Sequence, residues 1–279
     1  MFVGMQKTIL RLTLAFSVTG TLLCSALSGQ DCDPSTTNLL DKEVWRREAG
    51  YWVGNYTFLG SSGAPFAAAA WPYPYQPYSG VIHIKIEGSH LRQRNIFLYP
   101  PLPVEECAAM AAKNQPNVKG QGVCGVNGNE KIFSADQDAS DCDGNLAGPF
   151  PSNGLILDTY TTVMGDDTVI YQVRYRATEL SLPGLKLSLK AGQFNQNQLT
   201  TLPGNDTRVR TAQSFNFDGT PQAASFYREV RVADQAEFVF KLAALRAAYN
   251  ILPSDYCGWD SGNAPSKTTC TEHFGFPVP

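Results

Sequence analysis

Residues 50–58 read GYWVGNYTF and mark the point where a charged helical segment gives way to a series of strands. The bulky side chains Trp52, Tyr56 and Phe58 fall on alternate positions, which is the period of a strand with one buried face. Before this stretch, residues 38–49 place apolar among charged residues at a spacing typical of one helix. The sequence therefore predicts a helix that leads directly into the first strand.

The same alternation recurs along most of the remaining chain. It predicts strands at residues 50–58, 80–87, 91–99, 155–164, 168–177, 186–194, 208–217 and 225–232. Residues 233–250 instead carry apolar side chains at helical spacing, namely Phe238, Leu242, Leu245 and Tyr249. Because a meander has to close or stack to cover its edges, we predict a mainly β fold. It is a single antiparallel meander β-barrel with an N-terminal helix, a short inserted helix and a C-terminal helix.

Three further segments lack a clear strand period. Residues 61–79 are rich in proline, alanine and aromatic residues, and we expect a loop that folds over the barrel opening with Trp71 against any ligand. Residues 103–151 combine a short predicted helix with a polar excursion, which we interpret as a disulfide-bonded insertion. Together with the tail at 252–279, these segments belong to one predicted domain, residues 30–279.

Residues 1–29 have the layout of a secretory signal peptide, because Lys7 and Arg11 precede an apolar run that ends in small residues. The run is too short to span a bilayer reliably, and an uncleaved anchor is the alternative. Cleavage would remove two basic and no acidic residues, so the formal net charge of −3 would become −5. An acidic chain without a basic face argues against nucleic acid as a partner. We expect a secreted or periplasmic protein without stable membrane insertion.

Cysteine usage agrees with export. After removal of the signal peptide, six cysteines remain: Cys32, Cys107, Cys124, Cys142, Cys257 and Cys270. An even number in an oxidising compartment is most simply a set of disulfides. None of the spacings is the short one that marks a zinc site.

A helix that leads into Gly50-x-Trp52, followed by a meander and a late helix, resembles the calycin superfamily of lipocalin-like barrels. In those proteins the tryptophan closes the base of the barrel, a basic residue of the last strand covers it, and a helix packs outside. The resemblance assigns Gly50 and Trp52 to the base, with Arg228 or Arg231 as the basic cover. The loop and the insertion are longer than is usual in that superfamily.

A second resemblance is to the T-type phycobilin chromophore lyases, which are barrels of the same class. It rests on residues 91–94, which read LRQR, and on a pair of cysteines further along the chain. It implies a bilin as substrate or cofactor. Haem is the other cofactor considered, and it would need His83, His90 or His273 inside the barrel as axial ligand.

Motifs for other chemistry are weak. His83 and His90 share one predicted hairpin, but a zinc site needs three or four converging ligands. The acidic cluster Asp136, Asp138, Asp141 and Asp143 lacks oxygen donors at two of three EF-hand positions, which leaves a looser calcium site or a solvated acidic turn. We therefore predict no metal site. The sequence also lacks the nucleophile elbow and the phosphate-binding glycine loop.

Aromatic side chains concentrate on one phase of the predicted strands. They could fill a packed core, but buried tyrosine hydroxyls need partners, which a cavity holding a ligand or water supplies. We therefore favour an exported protein that binds a small, largely apolar molecule. The candidate ligand-binding residues are Tyr56, Trp71, Phe97, Tyr171, Tyr175, Gln213, Phe215 and Arg228.

Two alternatives stay open. One is an enzyme, a lyase or isomerase acting on a hydrophobic or chromophore-like substrate, with Tyr171, Arg174, Tyr227 and Arg228 as acid, base or anion clamp. It requires a titratable group with a shifted pKa inside the cavity. The other is a secreted structural module with a packed core, which requires neither a cavity nor a shifted pKa.

We expect a disulfide between Cys257 and Cys270, and a second local pair, either Cys107 with Cys124 or Cys124 with Cys142. Cys257 and Cys270 are 13 positions apart, and closing a loop of that size stabilises by about 3 kcal/mol in the chain-entropy model. Peptide mapping of the unreduced chain should recover both in one linked fragment. A link from Cys257 to a distant cysteine would contradict the local pairing.

Overall fold

The computed structural model describes residues 36–60, 78–101, 104–105, 108, 126–139, 143–152, 155–175, 179–182, 185–188, 194–215 and 218–253. These residues belong to one unit, Asp33–Pro279. Outside them lie the six cysteines, Trp71 and His273, and most of the predicted loop, inserted helix and tail.

The described chain contains two α-helices and twelve strands. A 3-10 turn at Leu39–Asp41 precedes helix α1 (Glu43–Glu48), and helix α2 (Gln235–Ala248) follows the last strand. The strands are β1 (Gly50–Gly60), β2 (Tyr78–Glu87), β3 (His90–Tyr99), β4 (Asn129–Ala139), β5 (Leu146–Ser152), β6 (Leu155–Met164), β7 (Thr168–Tyr175), β8 (Glu179–Leu182), β9 (Leu185–Ser188), β10 (Phe194–Thr201), β11 (Thr207–Phe215) and β12 (Pro221–Val232).

The two segments predicted as the N-terminal and C-terminal helices, residues 38–49 and 233–250, are helical, with one interruption. The segment at 38–49 is divided because Lys42 has extended backbone angles, φ −95° and ψ 121°. Helix α2 begins after Asp234, whose side chain accepts a hydrogen bond from the Glu237 backbone nitrogen at 2.9 Å. None of the described helices is long and apolar enough to cross a membrane.

Ten strands form one closed antiparallel barrel in the order β1-β12-β11-β10-β7-β6-β5-β4-β3-β2. Strands β8 and β9 pair with each other in a separate two-stranded sheet. Barrel neighbours follow one another in the sequence, except that β8 and β9 intervene between β7 and β10. Closure pairs β1 with β12, so the barrel has no exposed edge strand. The predicted antiparallel meander barrel is confirmed.

Three barrel strands lie where the sequence predicted none. Strands β4 and β5 fall inside the excursion that was interpreted as an insertion, and β10 occupies a segment predicted as a turn. That interpretation is wrong for these strands. The physical reason is clearest in β10, where register with β11 turns the polar side chains of Gln196, Gln198 and Thr200 into the barrel. A strand whose inward face is polar lacks the apolar alternation by which strands are recognised.

Alternate residues divide the apolar side chains between two cores. The core inside the barrel includes Trp52, Tyr56, Ile82, Leu91 and Tyr99. The second core lies between the barrel and α2, where Val81, Ile96, Leu98 and Ile132 pack against Phe238 and Leu242. A helix on the outside of a meander barrel is the architecture that the lipocalin-like resemblance implies.

A buried ion pair also holds α2 against the barrel. The Arg246 guanidinium donates from Nε to Glu130 Oε2 at 2.7 Å and from Nη2 to Glu130 Oε1 at 2.9 Å. Glu130, on β4, is fully buried, and Arg246 is 7% exposed. A buried carboxylate is tolerated only when it is paired, so Glu130 fixes the place at which α2 docks.

Replacing Arg246 with alanine should lower the free energy of unfolding by about 3–5 kcal/mol, because the fully buried Glu130 carboxylate would lose both hydrogen bonds from the Arg246 guanidinium. The matched control is Arg46→Ala, which breaks the exposed pair between Arg46 and Glu43 on α1 and should cost less than about 1 kcal/mol. Urea denaturation measures both. Equal losses would contradict the role of the buried pair in docking α2.

Candidate functional site

Helix α1 lies across one end of the barrel, which we call the base. Its side chains hydrogen-bond to the backbone of three turns between strands. Trp45 Nε1 donates to the Gly144 carbonyl at 2.8 Å, and Arg47 donates to the carbonyls of Asp166 at 3.1 Å and Gly204 at 3.0 Å. These bonds anchor a helix of only six residues, which would not be stable alone.

Trp52 closes the interior directly above α1. Its side chain is fully buried, and its Nε1 donates to the Glu48 carbonyl at 2.8 Å. The ring lies between two guanidinium groups, with Arg231 Cζ at 4.3 Å and Arg208 Cζ at 4.8 Å from its centroid. Both distances are in the range of cation–π attraction.

Backbone carbonyls hold Arg231 over Trp52. Its guanidinium donates to the carbonyls of Ala49 at 2.7 Å and Asn205 at 2.9 Å. Gly50 has φ +125°, and a Cβ atom there would lie 2.4 Å from Arg231 Nη1. The structure thus brings together the three residues predicted to close the barrel, and only glycine fits at the first of them.

Further into the barrel, a chain of buried ion pairs extends from α1 to β12. Arg208 donates from Nη1 to Glu48 and from Nε to Glu229, at 2.5 Å each. Arg210 also contacts Glu229, with Nε at 3.1 Å, and the Tyr56 hydroxyl donates to Glu229 at 2.9 Å. Two carboxylates therefore face two guanidinium groups, and their charges cancel. We call these four charged residues the floor of the interior.

Three of the floor groups, Glu229, Arg208 and Arg210, keep one protonation state around neutral pH. Burial alone would raise the pKa of Glu229, but Arg208 and Arg210 hold that pKa below its ordinary value. Burial alone would lower the pKa of both arginines, but Glu229 raises each pKa above its ordinary value. Burial also raises the pKa of Tyr56 and of Tyr171. Every shift leads away from neutrality.

Aromatic rings form one wall of the interior, from β12 through β1 and β2 to β3. The ring of Tyr56 lies 4.9 Å from Tyr227, 4.8 Å from Tyr78 and 5.6 Å from Phe97, as measured between centroids. Tyr78 in turn lies 4.6 Å from Tyr99. These are distances of favourable aromatic pairs. We call this row the aromatic wall.

The opposite side of the interior carries both polar and apolar side chains. By their pairing, β6, β7 and β10 direct inward the polar side chains of Thr159, Thr161, Tyr171, Gln196, Gln198 and Thr200 and the apolar side chains of Val163, Val169 and Val173. Although they point inward, Tyr171 and Phe97 are only partly buried, and 11% of the Arg210 side chain is exposed. Solvent-sized space therefore reaches these three described side chains. A barrel of ten strands is also wider than the eight-stranded kind that side chains can just fill.

The structure separates the predicted ligand-binding residues into two groups. Inward-facing positions hold Tyr56, Phe97, Tyr171 and Tyr175. Register with β12 and β1 turns Gln213, Phe215 and Arg228 to the outer face, so their expected inward phase is wrong. Trp71 lies outside the described residues. The ligand-binding role of the inward group stays a prediction.

The reason for the error is that β11 turns its charged side chains inward. Arg208 and Arg210 face the interior, and the apolar Val209 is exposed outside. Sequence reasoning missed these arginines and Glu229, since charged side chains are usually exposed. One signal could have identified Glu48, because it follows the buried Val44 by one helical turn.

The outer face carries two open grooves on either side of Phe226. One has a volume of about 420 Å³ and is walled by Leu199 and Ile170. The other has a volume of about 540 Å³ and is lined by Val209, Arg228 and Val230. They are the alternative place for an apolar ligand.

The two described histidines both face outward. His83 stacks on Tyr51 with centroids 4.2 Å apart, and burial beneath α2 lowers its pKa to about 4. His90 contacts Asp136 at 2.9 Å and Asp138 at 2.8 Å. Register pairs His83 with Arg94, which lies four positions along β3 from His90, so the hairpin does not join the two imidazoles. Within the described ranges, no three His, Cys, Asp or Glu side chains are placed to hold a metal ion.

Arg174, which the enzyme alternative invoked, also lies on the outer face. Its guanidinium is over the Phe194 ring, 4.5 Å from the centroid, and donates to Gln172 at 2.8 Å. With Arg228 likewise outside, the proposed set of acid, base and anion clamp is divided between the two faces of the barrel.

No protein-family model matches this sequence, and no curated protein is similar to it. Solved structures are similar, among them a protein of unknown function from the DUF3598 family of Nostoc punctiforme. That similarity has 15% identity and a TM-score of 0.34 and covers 67% of this chain, which spans only 49% of that one. Rv2717c from M. tuberculosis is 12% identical with a TM-score of 0.36, over 67% of this chain and 94% of that one.

The S-type phycobiliprotein lyase CPES from Guillardia theta is also similar. It is 9% identical with a TM-score of 0.28, over 72% of this chain and 97% of that one. Similarities of this size assign neither a family nor an activity to the chain.

Replacing Trp52 with alanine should lower the free energy of unfolding by about 3–5 kcal/mol, because a large fully buried side chain would leave a cavity. The control is Phe240→Ala on α2, where the aromatic side chain is 68% exposed and the change should stay within about 0.5 kcal/mol. Thermal and urea unfolding give both values. Wild-type stability of Trp52→Ala would contradict its role as the closing residue.

Proposed function

We propose that this protein binds a small, largely apolar ligand with aromatic character in the barrel interior. The observation that carries the proposal is an aromatic wall that faces a mixed polar and apolar side of the interior, where Phe97, Tyr171 and Arg210 keep part of their surface exposed. Planar rings stack favourably on such a wall, and a mostly apolar enclosure with a few polar groups is typical of ligand sites.

The protonation states favour binding over acid–base catalysis. A general acid or base works best when its pKa is near the working pH. The floor carboxylate Glu229 and the tyrosines Tyr56 and Tyr171 have pKa values displaced away from neutrality. They are therefore suited to fixed electrostatic and hydrogen-bonding roles.

Unpaired polar atoms argue against a purely structural module. Gln137 faces inward on β4 and is 2% exposed, yet within the described part of the chain neither its amide oxygen nor its nitrogen has a hydrogen-bond partner. Asn95 Oδ1 and Thr159 Oγ1 are likewise buried without partners in those residues. Buried polar groups are normally satisfied, so an interior that takes up a polar ligand or water accounts for them better than a dry core.

We also propose that the chain is exported. This proposal rests on the layout of residues 1–29 and on the even number of cysteines in the remainder.

Binding of the neutral probe N-phenyl-1-naphthylamine, followed by its fluorescence, tests the proposed site with two matched variants. Phe97→Ala removes an inward ring of the aromatic wall, and the dissociation constant should rise about tenfold, which corresponds to about 1.4 kcal/mol. Phe226→Ala removes the exposed ring between the outer grooves and should leave binding unchanged. Near-ultraviolet circular dichroism confirms that both variants are folded.

If Phe226→Ala weakens probe binding and Phe97→Ala leaves it unchanged, the ligand binds on the outer face, which would contradict an interior site. Absence of probe binding to the folded wild-type protein would also count against the proposal.

A further inference from the structure

We propose that the floor of the interior recognises an uncharged head group that both donates and accepts hydrogen bonds, such as a carboxamide. This inference rests on the proposed ligand-binding function and specifies the class of ligand. The residues that would hold the head group are Glu48, Arg208, Arg210 and Tyr171.

The first observation is a pair of unpartnered atoms at the bottom of the interior. Glu48 is 1% exposed and Arg208 is 2% exposed, and they bond to each other through Oε2 and Nη1. Glu48 Oε1 and Arg208 Nη2 are buried as well but have no hydrogen-bond partner among the residues that the structure describes. One is an acceptor and the other is a donor. A carboxamide carries the complementary donor and acceptor on adjacent atoms.

Two further groups face the same interior. Arg210 directs Nε and Nη2 to Glu229, which leaves Nη1 without a bond among the described residues. Tyr171 lies on β7, separated from Arg210 only by β10, and both face inward. Its hydroxyl lies within the electrostatic influence of Glu48 and Arg208 and makes no hydrogen bond to the described part of the chain. The floor therefore offers donors and an acceptor side by side.

Charge balance excludes an anionic or a cationic head group. Glu48 and Glu229 compensate Arg208 and Arg210, so the floor has no net charge before a ligand enters. A carboxylate placed there would meet the unpartnered oxygen of Glu48, and an ammonium group would meet Arg208. Like charges at such distances in a buried site are strongly unfavourable, whereas a neutral group incurs no such repulsion.

The experiment uses three probes that share one ring system: 2-naphthamide, methyl 2-naphthoate and 2-naphthoate. The ester can accept but not donate, and the naphthoate is negatively charged. Isothermal titration of the full chain at neutral pH should show 2-naphthamide binding about tenfold more tightly than either of the others, the loss expected for one hydrogen bond to a charged group.

Glu48→Gln gives the sharpest variant, because it leaves the floor with a net positive charge and nearly the same shape. Its preference should invert, so that 2-naphthoate binds more tightly than 2-naphthamide, by about tenfold. If that variant does not fold, Tyr171→Phe decides in its place. It should weaken 2-naphthamide about fivefold, as expected for one lost hydrogen bond, while Tyr160→Phe on the outer face leaves the affinity unchanged.

Equal affinity of the wild-type protein for all three probes, or tightest binding of 2-naphthoate, would overturn the neutral head group and leave the proposed ligand site intact. If none of the three probes binds the folded protein, both the neutral head group and the proposed ligand site are overturned. A Glu48→Gln protein that still prefers 2-naphthamide would contradict the charge argument.

Discussion

The buried carboxylate of Glu229 is the group on which the interior of this barrel depends. It is fully inaccessible to solvent and is bonded to Arg208, Arg210 and Tyr56. A carboxylate can occupy such a position only if every oxygen is satisfied by donors or cations. Gly54 faces it on β1, and a Cβ atom there would lie 2.4 Å from Glu229 Cγ. The first strand therefore carries a glycine at this position to admit the side chain.

The ion pairs of Glu229 also determine how the base is built. Arg208 connects it to Glu48 of α1 and lies over the ring of Trp52. Helix α1 is too short to form independently. Its position is set by the buried Glu48 carboxylate and by the hydrogen bonds from Trp45 and Arg47 to the turns. Removing one member of a buried ion pair is far more damaging than removing an exposed pair. The base is therefore a single cooperative unit of helix, tryptophan and charges.

The interior above this unit has two unlike walls, and this difference gives the site its chemical character. Tyrosine and phenylalanine rings on β12, β1, β2 and β3 offer stacking surface, while β6, β7 and β10 offer hydroxyl and amide groups. The charges between the walls cancel. The proposed ligand, a planar and mostly apolar molecule with one polar end, rests on this arrangement of the interior.

The sequence by itself determined the architecture, because alternation of bulky residues is a local property of each strand. The resemblance of Gly50-x-Trp52 to lipocalin-like barrels also placed these two residues beside a basic residue of the last strand, which the structure shows to be Arg231. Only the tertiary structure decided which phase of β11 faces inward. The apolar residues Val209 and Phe215 indicated one face, but pairing with Glu229 turned Arg208 and Arg210 inside. A buried charge is recognisable only when its partner is known, and Glu48 lies 160 residues away from Arg208 in the chain. For the same reason β10 was predicted as a turn. Its inward residues Gln196, Gln198 and Thr200 are polar, and they are recognised as part of a strand only once the interior that they line is known.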